Sequence, residues 1–240
     1  MSAAVRLGRS QAARWSRTVC EAVRPLVAPA DWRREWAEGG PAPRAWAIDF
    51  PPGADDRDIV AAGEPGRRFA RSGARIPRTG AGAELRIALA KCDRFLATPA
   101  GGRAPRWRWV PATMLPCGGL VVVARDDEFL AGVLASRWFD AWWRGGVGGR
   151  LDVAAVRDFP LPWPVDLPRG AFTREQEERR DAVVRAWRGG TGGAVDFDSV
   201  GYAGDALAGA VAAAYGWPAE IEVDDALARL RLRACLSPSA

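Results

Sequence analysis

The sequence predicts an α+β fold in which a small mixed-sheet domain over residues 1–165 precedes a helical region over residues 166–240. Two observations lead to this prediction. Short apolar segments typical of strands and longer segments typical of amphipathic helices occur in mixed order, whereas a doubly wound sheet requires strict alternation. A proline-rich stretch at 156–164 then ends the strand-bearing part, and the chain beyond it contains only helical patterns.

The first fifty residues contain two recognisable elements. Residues 31–36 have the sequence DWRREW, which can form a helical turn or two. Residues 46–50 are apolar enough for a short strand, and the sequence PPG that follows ends it. We therefore expect a short helical segment at residues 31–36 and a short strand at residues 46–50.

A charged segment follows over residues 55–78, and its arginines are regularly spaced. Arg67, Arg71 and Arg75 recur every four residues, which would place them on one face of a helix. Like charges at this spacing repel one another, so the face would be stabilised by a nearby anion. A solvated helix face explains the same pattern.

The middle of the chain predicts three strands between two helices. Runs of β-branched and aromatic residues indicate the strands, and the helical recurrence of apolar residues indicates the helices. Asp126 or Asp127 is expected to cap the second helix. In chain order the elements are a helix at 83–93, strands at 95–98, 107–110 and 119–124, and a helix at 127–144.

The C-terminal region predicts three further helices. Thr173 and Gln176 have the spacing of a capping box, which begins a helix that extends to about residue 187. The glycine-rich segment 189–193 is expected to break the chain. Two more helices follow, at about 204–215 and 224–235.

The composition excludes several classes of active site. The chain contains no histidine and no asparagine, and Lys91 is its only lysine. Ser-His-Asp sites, Cys-His sites and His-ligated zinc sites are therefore excluded. The four cysteines lie far apart in sequence, which indicates isolated thiols rather than a metal cluster or a disulfide framework. Without a long apolar segment, the chain is predicted to be cytoplasmic and not to enter a membrane.

Two other motifs are explained by ordinary structural roles. The acidic residues 126–128 can in principle hold a metal, but a helix N-terminus favours negative charge and capping explains them better. The glycine-rich segments 145–149 and 189–193 lack the lysine and the hydroxyl of a phosphate-binding loop. Most of the twelve tryptophans are expected to be core or interface anchors.

The segment 103–109 is unusual in alternating arginine with tryptophan. In a strand, Arg106 and Arg108 would lie on one face and Trp107 and Trp109 on the other. The tryptophans can then pack on a core while the arginines reach phosphates or the edges of guanines. A solvated edge strand explains the pattern equally well. The net charge of +5 favours an anionic partner, although the preference for arginine over lysine is also typical of GC-rich genes.

Short motifs along nearly the whole chain resemble one enzyme family in their order. In sequence they are VRP (23–25), WAIDFPP (46–52), KCDRFLATP (91–99), WRWV (107–110), LP (115–116), VVVARDD (121–127), GVLAS (132–136), Trp142, VRDFPLPWP (156–164), AAYGWP (213–218) and a helix with Leu227 and Leu230. Together they resemble the target-recognition region and the C-terminal helical end of the MmeI-like class I DNA methyltransferases, which belong to type II restriction–modification enzymes.

The resemblance implies a domain that docks on double-stranded DNA and reads its sequence. In that family the enzyme flips an adenine and methylates its exocyclic amine with S-adenosylmethionine. The cofactor-binding domain and an Asn-Pro-Pro-Tyr catalytic motif precede this region in the family. Because the chain has no asparagine, the Asn-Pro-Pro-Tyr motif is absent from it, and we expect the chain to be non-catalytic on its own. We also expect it to bind no S-adenosylmethionine and no metal. A separately encoded methyltransferase chain would then supply the cofactor and the chemistry.

Seven arginines are the predicted DNA contacts. The first set is Arg103, Arg106 and Arg108, and the second is Arg67, Arg71, Arg75 and Arg78. With no asparagine and only Gln11 and Gln176, base reading would rely on arginine contacts to guanine and on serine or threonine. Two alternatives stay open: a protein-interaction or scaffold subunit that keeps the fold without reading DNA, and a gene fragment that folds poorly.

Overall fold

The computed structural model describes residues 5–15, 22–34, 36, 41–102, 105–145, 150–164, 167, 169–191 and 205–236. These residues form an α+β fold with two small sheets and a helical C-terminal part, which confirms the predicted fold class. Contacts divide the chain into two compact units, residues 1–97 with 109–126 and residues 98–108 with 127–240. The predicted domain boundary between residues 165 and 166 lies outside the described residues and stays a prediction.

The regular elements are distributed along the whole described chain. The strands are β1 (Val5–Leu7), β2 (Val23–Val27), β3 (Ala45–Ile48), β4 (Arg94–Pro99), β5 (Arg108–Pro111), β6 (Leu115–Pro116) and β7 (Leu120–Val123). The helices are α1 (Arg9–Trp15), α2 (Asp56–Ala61), α3 (Glu64–Arg71), α4 (Ala81–Leu89), α5 (Glu128–Leu134), α6 (Arg137–Arg144), α7 (Val153–Arg157), α8 (Arg174–Thr191), α9 (Asp205–Ala214) and α10 (Val223–Leu236). Short 3-10 helices occupy Pro29–Arg33 and Arg169–Ala171.

A four-stranded mixed sheet organises the first unit. Its order is β1-β3-β2-β6, with β3 antiparallel to β1 and β2, and β2 parallel to β6. Ile48 pairs with Val5 on one side and with Val23 on the other. These three side chains join Trp15 and Phe69 in one hydrophobic cluster, so α1 and α3 are held against the sheet by apolar burial.

A second sheet, of order β5-β4-β7, carries the other cluster of the first unit. Phe95 of β4 and Val110 of β5 are fully buried and pack with Leu89 of α4 and with Trp32 of the first 3-10 helix. The strands predicted around residues 95, 108 and 121 are therefore present. The predicted helical turn at residues 31–36 is the 3-10 helix that ends at Arg33.

The second unit is a helical assembly in which α5 packs on α6, α8 and α9, and α6 packs on α10. The indole nitrogen of Trp138 donates to the carbonyl oxygen of Ala208 at 2.9 Å, which ties α6 to α9. Helix α5 lies close to α8 at Gly132, because a Cβ there would lie 2.8 Å from Cγ1 of Val183 on α8. The predicted C-terminal helices are present, and the capping box of Thr173 begins α8.

The single helix predicted over residues 127–144 is wrong. Two helices occupy this stretch, because the backbone of Ser136 is extended (φ −79°, ψ 158°) between α5 and α6. The Ser136 hydroxyl donates to the carbonyl oxygen of Val133 at 2.7 Å and satisfies an acceptor at the end of α5. The N-cap prediction is confirmed for Asp127, whose Oδ1 accepts from the backbone nitrogen of Phe129 at 2.9 Å.

Two other sequence predictions need correction. Arg67, Arg71 and Arg75 do not share a helix, because α3 ends at Arg71 and Gly73 follows in the left-handed region at φ 71°. Residues 189–191 do not break the chain but continue α8, and residues 192 and 193 lie outside the described residues.

Every tryptophan lies in the described part of the chain, and each is buried or half-buried. This confirms their role as packing anchors. Within the described residues no helix has the length and the apolar character needed to cross a membrane. Cys92, Cys117 and Cys235 are free thiols, whereas Cys20 lies outside the described residues.

Candidate functional site

The first set of predicted DNA contacts lies at the start of β5. Arg106 and Arg108 are half-buried, and the backbone nitrogen of Arg106 donates to Oγ1 of the fully buried Thr98 at 2.8 Å. Trp107 between them is 2% exposed and packs with its ring centre 6.1 Å from that of Phe139. Trp107 and this backbone hydrogen bond therefore help to anchor the segment. Arg103 lies outside the described residues.

The second set lies in the first unit and is fully on the surface. Arg67 and Arg71 project from α3, and Arg75 and Arg78 follow in the segment before α4; all four are exposed. Within the described residues none of these four side chains forms an ion pair with a carboxylate. The Nε atom of Arg71 donates to the carbonyl oxygen of Arg67 at 3.3 Å. This set therefore presents positive charge that no described acidic side chain neutralises.

Arg94 forms a cation–aromatic cluster that sequence reasoning did not single out. Its guanidinium lies 4.2 Å from the ring centre of Trp109, and its Nε donates to Oδ1 of Asp126 at 2.7 Å. A stacked and hydrogen-bonded arginine loses little conformational freedom when it contacts a further acceptor. Arg94 belongs to the KCDRFLATP motif, but its partners lie 15 and 32 residues further along the chain, so sequence spacing gave no signal.

A buried ion-pair network shows that other arginines have structural roles. Asp49 is 3% exposed, and its Oδ1 lies 2.6 Å from Nη2 of Arg86 while its Oδ2 lies 3.6 Å from Nη1 of Arg24. Arg24 also donates to the carbonyl oxygens of Ala112 and Thr113. The network joins β2, α4 and the turn before β6, and it engages both guanidinium groups within the fold.

The acidic residues 126–128 are all engaged within the fold. Asp127 caps α5 and accepts from Nη2 of Arg180 at 2.9 Å, and Glu128 lies 2.5 Å from Nη2 of Arg188. Asp126 pairs with Arg94 as described above. Across the described residues there is no group of three or more side chains suited to hold a metal ion. The capping interpretation of this motif is therefore confirmed for Asp127.

Both glutamines have their amide oxygens engaged. Oε1 of Gln11 accepts from Nη1 of Arg68 at 2.8 Å, and Oε1 of Gln176 accepts from the backbone nitrogen of Thr173 at 2.9 Å. An amide reads adenine by accepting from N6 and donating to N7 at the same time. Neither side chain is arranged for that bidentate contact in this structure.

The AAYGWP motif packs the end of α9 against the proline-rich segment that contains Pro160. Tyr215 stacks on Trp217 with ring centres 4.2 Å apart, and its hydroxyl donates to the carbonyl oxygen of Pro160 at 2.8 Å. Gly216 between them has φ 74°, which ends α9. Burial raises the pKa of the Tyr215 phenol well above its ordinary value, so the hydroxyl stays protonated and keeps its hydrogen bond.

A cavity of about 520 Å³ opens in the first unit between α2 and the chain after β3. Its lining is mainly apolar, with Phe50, Pro51, Ala54, Ala61 and Ala62 among its walls. Asp58 supplies a carboxylate there, but its Oδ2 already accepts from the backbone nitrogen of Asp55 at 2.9 Å. The cavity therefore offers little that would orient a polar ligand.

Comparison with known proteins gives one informative similarity in three dimensions. No protein-family model matches the chain, and no curated protein matches it in sequence. A solved structure of the type IIL restriction–modification enzyme MmeI in complex with DNA matches with a TM-score of 0.55 and 16% identity. The match covers 96% of this chain and 33% of MmeI, so the chain spans about a third of that protein's length. The chain therefore shares the fold of part of a restriction–modification enzyme, the enzyme class to which its sequence motifs pointed.

Proposed function

We propose that the chain is a sequence-specific DNA-recognition module of a restriction–modification or adenine DNA methyltransferase system and is non-catalytic on its own. The observation that carries the proposal is the fold shared with MmeI over 96% of the chain, in a structure solved with DNA. The ordered sequence motifs point independently to the target-recognition region of the same enzyme class. Two different kinds of evidence thus support one role.

The arginines of the chain suit the two tasks that DNA recognition requires. Phosphate contacts supply most of the affinity, and exposed arginines such as Arg67 and Arg71 can provide them. Base contacts supply specificity, and an arginine can bond to O6 and N7 of guanine through its planar fork. Arg106 and Arg108, held by Trp107 and Thr98, are the proposed base-reading pair. Arg103 is proposed to act with them.

S-adenosylmethionine belongs in this proposal to a separate methyltransferase chain. The described residues fit the cofactor poorly, because the cavity of the first unit is walled mainly by alanine, proline and Phe50. The chain would position DNA for its catalytic partner. Methyl transfer from labelled cofactor should then require both chains, and turnover by this chain alone would contradict the assignment.

Binding to duplex DNA at several salt concentrations tests the proposal. We expect binding in low salt that weakens about a thousandfold or more between 50 and 200 mM if six or more phosphates are contacted. Arg106→Ala and Arg108→Ala should reduce the preference for the recognised duplex over an unrelated one. Absence of binding in low salt, or an affinity indifferent to salt, would overturn the proposal.

A second candidate function, a protein-interaction or scaffold subunit, is favoured by the end of α10. Leu232 and Leu236 lie one helical turn apart and are 63% and 74% exposed. The tryptophans do not add to such a surface, since each is buried or half-buried. Capture of a partner that survives high salt and is lost on Leu232→Ser with Leu236→Ser would favour this function, provided that Arg106→Ala has no effect.

A further inference from the structure

Helices α1 and α3 lie side by side on the first unit and are joined by polar contacts. Nη1 of Arg68 donates to Oε1 of Gln11 at 2.8 Å, and the indole nitrogen of Trp15 donates to Oε2 of Glu64 at 3.2 Å. The guanidinium of Arg68 also lies 5.9 Å from the centre of the Trp15 ring. Below these contacts, Trp15 and Phe69 share one hydrophobic cluster. The outer faces of the two helices therefore form one surface.

This α1–α3 surface is strongly basic. Arg9 and Arg14 are exposed on α1, which contains no acidic residue, and Arg67 and Arg71 are exposed on α3. The acidic side chain of α3 is Glu64, and it is engaged by Trp15. Within the described residues, Arg9, Arg67 and Arg71 form no ion pair with a carboxylate.

The arginines of α8 provide a comparison, because α8 is a solvated helix whose arginines are mostly paired with carboxylates, within α8 or on α5. The pairs are Arg174 with Glu178 at 2.9 Å, Arg179 with Glu175 at 2.5 Å, Arg180 with Asp127 at 2.9 Å and Arg188 with Glu128 at 2.5 Å. The α1–α3 surface differs because Arg9, Arg67 and Arg71 have no carboxylate partner among the described residues.

We propose that the α1–α3 surface contacts the phosphate backbone of duplex DNA independently of base sequence. Arg9, Arg67 and Arg71 would each neutralise a phosphate, and Arg14 would add to the field. Four residues of helix advance about 6 Å, which is close to the rise of two nucleotides along one strand. The inference rests on the proposed function and extends it to α1, which carries none of the predicted DNA contacts. In this proposal the α1–α3 surface supplies affinity for DNA, whereas Arg106 and Arg108 read the bases.

The test compares a triple variant, Arg9→Gln with Arg67→Gln and Arg71→Gln, with a control of equal charge change. The control is Arg174→Gln with Arg185→Gln and Arg229→Gln, three exposed arginines of α8 and α10. Affinity is measured against salt concentration for a duplex selected from a random library and for an unrelated duplex. Each phosphate contact contributes about 0.9 to the slope of log K against log salt. We expect the triple variant to lose about 2.7 from that slope on both duplexes, and the control to keep the wild-type slope.

The possible failures are distinguishable from one another. A triple variant with the wild-type slope, or with a loss confined to the selected duplex, would overturn the phosphate-contact inference alone. A wild-type protein that binds the selected and unrelated duplexes equally would overturn the proposed function. In that case the salt slopes of the wild type and the triple variant on the unrelated duplex still test the phosphate-contact inference. If the wild type binds an RNA duplex of the same length more tightly than the DNA duplexes, and the triple variant loses that binding, the phosphate-contact inference for DNA would also be overturned. Equal thermal unfolding midpoints for all three proteins would show that folding is intact.

Discussion

Replacing Gly66 with alanine tests the close packing of α2 against α3. A Cβ atom at this position would lie 1.7 Å from the carbonyl oxygen of Ile59 and 2.8 Å from its carbonyl carbon. A carbon and a carbonyl oxygen in contact are normally about 3.3 Å or more apart. The two helices would have to separate by about 1.6 Å. Because the obstacle is backbone, no side-chain rotation can relieve the clash.

The expected loss of stability follows from two opposing effects. Overpacking of a well-packed site costs about 1–3 kcal/mol and occasionally more, whereas alanine gains about 1 kcal/mol over glycine in a helix. The separation also disturbs the buried Phe69 on α3 and Ala62 after α2, so the cost should lie at the upper end. We expect Gly66→Ala to lower the free energy of unfolding by about 2 kcal/mol.

Urea unfolding followed by tryptophan fluorescence measures this difference. Gly82→Ala is the matched control, because Gly82 lies in α4 and its nearest neighbour, Cβ of Pro77, is 3.9 Å from the added atom. That variant should be as stable as the wild type or up to about 1 kcal/mol more stable. An unchanged urea midpoint for Gly66→Ala would refute the packing described here. A cooperative wild-type transition would also argue against a gene fragment that folds poorly.

Two further predictions concern a buried phenol and the reading of bases. Tyr215→Phe should cost about 1 kcal/mol at pH 7, because the carbonyl oxygen of Pro160 loses its donor. The pKa of Tyr215 is raised in the folded state, so the wild type loses stability as the pH rises above about 10, the pKa of an unfolded tyrosine. The stability difference between the wild type and Tyr215→Phe should therefore shrink above that pH. A series of urea titrations at different pH values measures this difference, and a difference that stays constant would contradict the prediction. Gln11→Ala should leave base preference unchanged, because the amide oxygen is held by Arg68. Selection of binding sites from a random library tests this, and loss of an adenine preference in the variant would contradict it.

Local sequence signals predicted much of the fold. The capping box of Thr173 and Gln176 and the cap Asp127 depend only on neighbouring residues, and both occur as expected. The β-branched run around Val121 likewise forms a strand. These features follow from chemistry within three or four residues of chain, which is the range that a sequence pattern can resolve.

The errors occurred where periodicity continued across a break in the backbone. Leu134 and Trp138 are both buried, so the apolar stripe runs unbroken through the point at which Ser136 separates α5 from α6. Arg75 continues the four-residue spacing of α3, although Gly73 has already ended the helix. In both places side-chain patterning persisted while the hydrogen-bond pattern of the helix stopped.

Long-range contacts of the candidate site could not be predicted. The pairing of Arg94 with Asp126 and the approach of Arg68 to Gln11 join residues that lie 32 and 57 positions apart. Arginines on helices of the same unit therefore acquire different environments. Arg86 is half-buried and paired with Asp49, whereas Arg67 is exposed on α3. Tertiary packing, which one sequence does not reveal, decides between an arginine in a structural ion pair and an arginine left exposed.

Selection of duplexes from a random library shows directly whether the chain recognises a DNA sequence. The purified chain is mixed with the library in about 0.1 M salt, and bound duplexes are amplified and sequenced over several rounds. We expect enrichment of a short motif that contains guanine, and we expect the enrichment to be lost in the double variant Arg106→Ala with Arg108→Ala. Retention of random sequence in every round, or enrichment that the double variant leaves unchanged, would contradict it.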